Sequence, residues 1–118
     1  MGWDKLMNKK ASISELQEQI STLIDKYQLS RDINIRYIDL TSEVGEVGKE
    51  ILISSNYGNV KEKDIHYSKD LSMEIGDSLF SLFCLCISVD IDLEYAIHKV
   101  LQKYENRFEK NKTIGSKK

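Results

Sequence analysis

"EVGEVGKE", residues 43 to 50, sets three glutamates on a helical pitch and interrupts them with Gly45 and Gly48. Each interior glycine costs a helix roughly 1 kcal/mol relative to alanine, so the stretch is expected to serve something that needs carboxylates beside small residues. Reading back to Asp39 adds a fourth acid: Asp39, Glu43, Glu46 and Glu50 follow steps of four, three and four and share one helix face. Beside them Leu40, Val44, Val47 and Ile51 form an apolar stripe expected to face the core. Gly45 and Gly48 form a third strip, suited to close approach by another helix or a ligand. The acids therefore border buried surface, where mutual repulsion is costly unless cations offset it.

The same idea recurs in "EIGD", residues 74 to 77, where Glu74 and Asp77 stand three apart around Gly76. A lone ExxE is usually a solvated surface feature. Two such pairs, each beside glycine and each abutting an apolar run, can converge if their helices pack together. Carboxylate oxygens suit hard divalent cations, Mg²⁺ above all. Zinc is not expected, because no His or Cys is suitably placed: His66 lies near a loop, and His98 follows Glu94 by four residues rather than the three of a di-iron Glu-x-x-His motif.

The flanking chain reads as three more helices. "SISE", residues 12 to 15, is a capping box that opens a first helix with apolar positions Ile13, Leu16, Ile20, Leu23, Ile24 and Tyr27. The acidic stretch lies on a second helix, from about Asp32 to Ser54, and "SSNYGNVKEKD" after it has the composition of an exposed, mobile loop. A third helix, from about Ser68 to Val89, is apolar nearly all round from Leu79 onward and is expected to be the central one. Asp92 caps a fourth, striped by Leu93, Ala96, Ile97, Val100, Tyr104 and Phe108. With no strand pattern and no proline, the expected fold is all-α: an antiparallel four-helix bundle in a single domain over residues 1–118, with flexible tails at 1–11 and 109–118.

Beside the apolar stripe of the fourth helix runs a basic one, Lys99, Lys103, Arg107 and Lys110, at steps of four, four and three. Alone, such a strip is most often solvated. Opposite an acidic wall it makes a site for a metal-bound phosphate chain, since Arg grips phosphate through its planar fork and Lys acts as a point charge. A net charge of −2 gives no basic field for nucleic acid. The first residues lack the apolar core of a signal peptide, and the greasy run from Leu79 is too short to span a bilayer, so no membrane association is expected and the protein is expected in the cytoplasm. Cys84 and Cys86, two apart on a helix, form neither a CxxC redox pair nor half a zinc site and are expected to be buried thiols.

Taken together, "LTSEVGEVGKEI", the later "EIGDSLFSL" and "KYENRF" resemble the motifs of the MazG-like members of the all-α nucleoside triphosphate pyrophosphohydrolases, over about Ile33 to Phe108. The resemblance implies a Mg²⁺-dependent enzyme, with Mn²⁺ a possible substitute, that splits a nucleoside triphosphate into monophosphate and pyrophosphate, in nucleotide-pool housecleaning. Carried over, Glu43, Glu46, Glu74 and Asp77 ligate metal, and Lys103 and Arg107 contact phosphate. Either Glu46 or Glu50 orients or deprotonates the attacking water. Many relatives have two adjacent glutamates where this chain has Ser42 and Glu43, which leaves the number of metals open. The resemblance also implies a homodimer or higher homo-oligomer in which a neighbour can complete the nucleotide pocket. The competing account is a non-catalytic helical module that binds a nucleotide or a protein through the same groove.

Overall fold

Ser12 opens the first helix as its capping box predicts. Its hydroxyl accepts from the Glu15 N–H at 3.0 Å, and the Glu15 carboxylate accepts from the Ser12 N–H at 2.8 Å. The structure, a computed structural model, describes residues 10–111. Helix α1 spans Ile13–Tyr27 and stops where Gln28 turns left-handed. Helix α2, Ile33–Ser54, is capped by the Asp32 carboxylate, which accepts from the N–H groups of Asn34 and Ile35.

The connection after α2 is bonded within itself. Buried Ser55 donates its hydroxyl to the Leu52 carbonyl and accepts from the Gly58 N–H, while Asn56, Tyr57 and Gly58 all take positive φ. A short 3₁₀ turn, Glu62–Asp64, leads into α3, Lys69–Ser88. Helix α4, Leu93–Asn111, begins after Asp92, whose carboxylate accepts from the Tyr95 N–H. The all-α, four-helix fold is thus the one expected, and no strand occurs among the described residues. One tail is shorter than expected, because residues 109–111 continue α4; residues 1–9 and 112–118 lie outside the described residues.

The helices pack unevenly. α2 and α3 form a long antiparallel pair, α1 lies against α3, and α4 rests on α1. Helix α3 is therefore central, as its composition predicts, and supplies buried Ser81, Phe83, Cys84 and Cys86 to a core that α1 completes with Ile24. Burial pushes both thiols up, so they stay protonated and inert, as small hydrophobes do.

Two side chains join α4 to α1. The Gln17 amide donates to the Ile91 carbonyl at 2.8 Å and accepts from the Leu93 N–H at 3.0 Å, and the Glu94 carboxylate accepts from the Ser14 N–H in the first turn of α1.

One expectation needs correction and another a qualification of fact. Within one chain the apolar stripe of α2 is only half covered: Leu40 and Val47 are half-buried, whereas Val44 is 55% and Ile51 42% exposed. The radius of gyration, 17.7 Å against about 13 Å for a compact chain of about 100 residues, agrees with so open a packing. And although the run from Leu79 is short, the whole 20-residue α3 is long and apolar enough by composition to cross a membrane. Core helices pass the same test, and α3 carries most of the buried side chains.

Ile24, 1% exposed, anchors α1 on α3. Ile24→Ala is expected to cost about 2–5 kcal/mol in urea unfolding, and Ser12→Ala about 1 kcal/mol through loss of the cap. A smaller effect at Ile24 than at Ser12 would mean that α1 is held by its ends rather than by its apolar face.

Candidate active site

Where α2 and α3 run side by side, polar contacts set their register. Arg36, only 8% exposed, donates through Nε to the Ser30 carbonyl at 2.7 Å and through its guanidinium to Asp39 at 3.5 Å, and Asp39 also accepts from the Ser81 hydroxyl of α3 at 3.0 Å. Toward the far end of the seam the Ser68 hydroxyl donates to Glu50 at 3.2 Å. One turn forward from Asp39 lies Glu43, and one turn back from Ser81 lies Asp77, so this register sets the two acids opposite each other. Glu74 falls beside them.

The result is a cluster in which Glu43, Glu74 and Asp77 each offer a carboxylate oxygen within 4.8 Å of the others. Glu43 and Glu74 are half-buried and Asp77 is exposed. Partial loss of water raises the pKa of Glu43 above the ordinary 4.5, and the charges of Asp77, Asp39 and Glu46 push the same way. Glu74 is raised by the same desolvation first, then by Asp77, Glu43, Glu46 and Glu50. No cationic side chain acts among the causes of either shift.

An all-oxygen set of this kind fits a hard divalent cation. Oxygens around Mg²⁺ stand about 3–4 Å apart, so small side-chain movements would close the three onto one ion. The cluster unites three of the four acids expected to bind metal. Glu46 is exposed and lies outside it, although its charge reaches both Glu43 and Glu74. Glu50 is half-buried and tied to Ser68. Asp39, the first acid of the stripe, is neutralised by Arg36 instead. Sequence reasoning passed over Arg36, although its spacing of three from Asp39 on one helix was the available signal.

The basic residues lie elsewhere. Lys103 and Arg107 sit on α4, which packs on α1 and makes no comparable contact with α2 or α3. Both bracket one ring: the Lys103 ammonium is 4.8 Å and the Arg107 guanidinium carbon 5.9 Å from the centroid of Tyr104. An acidic wall and a basic wall are both present, but one chain does not bring them face to face. The glycines tell the same story, since a Cβ added at Gly45, Gly48 or Gly76 would meet nothing within 4 Å. No part of the described chain makes the close approach that they permit.

Comparison with known proteins places the chain in a family. The family profile of the MazG nucleotide pyrophosphohydrolase domain matches residues 13–111. The uncharacterized protein YpjD of Bacillus subtilis is 41% identical over 68 residues, which is 58% of this chain and 60% of that relative's length. The crystal structure of YpjD from Bacillus subtilis, described there as a proposed pyrophosphatase, superimposes with a TM-score of 0.67 at 29% identity, covering 84% of this chain and 98% of that one.

The raised carboxylates fix the sign of a pH effect. Glu43 and Glu74 bind protons more tightly folded than unfolded, so without metal their contribution to stability is greatest below about pH 4.5 and is lost as pH rises through their folded values. In EDTA the melting temperature of the wild type, relative to that of Glu43→Gln/Glu74→Gln, is expected to fall over that interval. At neutral pH, Mg²⁺ at about 100 times its Kd should stabilise the wild type by about 2.7 kcal/mol and leave the double variant unmoved. A pH-independent difference between the two proteins, with no response to Mg²⁺ or Mn²⁺, would show the acids to be solvated surface.

Proposed function

Because this chain belongs to the MazG nucleotide pyrophosphohydrolase domain family, we propose that it is a Mg²⁺-dependent hydrolase that cleaves a nucleoside or deoxynucleoside triphosphate between its α- and β-phosphates. The products are the monophosphate and pyrophosphate. The observation that carries this proposal is the convergence of Glu43, Glu74 and Asp77 at the α2–α3 seam, where no cationic side chain among the described residues offsets the repulsion felt by Glu43 and Glu74.

These three carboxylates would hold the ion, and Glu46, whose exposed side chain is free to rotate, completes the set. A divalent cation there neutralises charge on the phosphate oxygens and makes nearby water more acidic. Glu50 suits the task of orienting the attacking water, since Ser68 steadies its carboxylate next to the cluster without drawing it in. In that role one proton of the water passes to Glu50 as its oxygen bonds to phosphorus, and the bridging P–O bond breaks to release pyrophosphate. Glu46 is the alternative acceptor. Lys103 and Arg107, set side by side by Tyr104, bind the leaving pyrophosphate. A homodimer is the working unit, in keeping with the bare apolar stripes of α2 and α4.

Incubation with mixed nucleoside triphosphates and Mg²⁺ is the test. Pyrophosphate and monophosphate are the expected products, whereas orthophosphate and a diphosphate would assign a different reaction. An absence of turnover with either Mg²⁺ or Mn²⁺ would leave a binding module. Asp77→Asn is expected to abolish turnover with the helical circular dichroism unchanged. Arg107→Ala should lower kcat/KM roughly tenfold to a hundredfold, the size of a charge-assisted hydrogen bond.

A further inference from the structure

The acidic stripe of α2 holds one carboxylate that stays out of the cluster although it lies in reach of it. Asp39 stands one turn before Glu43 on the same face, near enough that its charge is felt at Glu43, yet the oxygens that converge belong to Glu43, Glu74 and Asp77. Its Oδ2 is taken up elsewhere, accepting from the Ser81 hydroxyl at 3.0 Å and from the Arg36 guanidinium at 3.5 Å. Arg36 is buried and is fixed from behind as well, since its Nε donates to the Ser30 carbonyl in the connection between α1 and α2 at 2.7 Å. A neutral or apolar pair could fasten the seam at this point without desolvating a cation, and a buried ion pair is weak evidence for a role in stability.

We propose that Arg36 is a specificity-determining residue of the metal site: it holds Asp39 out of the coordination sphere, keeps the site poor in carboxylates and so favours Mg²⁺ over Ca²⁺. This inference rests on the function proposed above. Mg²⁺ keeps several of its waters and needs only a few carboxylates, whereas Ca²⁺ takes about six to eight oxygens in flexible geometry and gains from each added charge. Positions four apart on a helix face the same way, so a released Asp39 could join Glu43 on one ion. The side chain of Asp39 is 45% exposed, so it would turn toward that ion as a solvated group rather than be stranded as a buried charge.

Titration calorimetry of the metal-free protein with Mg²⁺ and with Ca²⁺ tests the assignment. Arg36→Met is expected to shift the ratio of the two dissociation constants toward Ca²⁺ by about tenfold, and Arg36→Met/Asp39→Asn to return it to the wild-type value, because the added ligand is then gone. Removing the guanidinium charge alone would strengthen both ions alike and leave the ratio where it was. A purely structural Arg36 would lower the melting temperature of both variants at an unchanged ratio. Either result overturns the proposal. Should circular dichroism show that Arg36→Met does not fold, Ser81→Ala releases the other hold on Asp39; it is expected to move the ratio the same way by a smaller factor, and an unmoved ratio there overturns the proposal equally.

Turnover is read separately. A wild type that binds Mg²⁺ but hydrolyses no triphosphate, with the shift present in Arg36→Met, would uphold the role of Arg36 and defeat the proposed reaction. An active wild type whose preference Arg36→Met leaves unmoved would overturn that role and leave the reaction standing. A wild type that binds neither ion would overturn both.

Discussion

The antiparallel pairing of α2 with α3 is the constraint on which everything else in this protein depends. Apolar stripes bring the two helices together, but a stripe can slide by a turn at little cost, and here polar contacts resist that slide. Asp39 is gripped by Arg36 from its own helix and by Ser81 from the other, and Ser68 reaches Glu50 further along. The seam thereby sorts its acids into two kinds. Asp39 is given a cation. Glu43 and Glu74 are given partial burial and like-charged neighbours, which lift both above the usual carboxylate range. A protein under selection for stability alone would gain by neutralising them, and the function proposed above accounts for their persistence by a cation taken from outside the chain.

What was legible in the sequence was local. The capping box at Ser12, the carboxylate caps at Asp32 and Asp92, and the 3.6-residue stripes all depend on residues within a turn or two of one another, and all recur in the structure. The acidic cluster was legible for a related reason. Spacing alone places Glu74 and Asp77 on one face and Glu43 on another, and a seam between the two helices suffices to bring them together.

The remainder was hidden because periodicity reports which face of a helix is apolar and not what covers it. Val44 and Ile51 belong to a stripe that looks like core, yet only its Leu40 and Val47 are half-buried. The docking of α4 on α1 is decided by Gln17 and Glu94, two polar residues without any periodic signature, and their choice of partner separates the basic stripe from the acidic one. Arg36 was hidden differently: a cation inside an acidic stripe reads as surface until its burial is seen.

The clasp between α1 and α4 also bears on the order in which the chain assembles as it is made. Ser14 and Gln17 bond to Glu94 and Ile91, partners 80 and 74 residues away, whereas α2 and α3 are joined by a short connection. Closing the longer loop costs more chain entropy, and its far end is synthesised last. The α2–α3 hairpin, with its acids already aligned, can therefore form while α4 is still inside the ribosome. During that interval α1 has only α3 to hold it, and its remaining contacts wait for Ile91 and Glu94 to emerge.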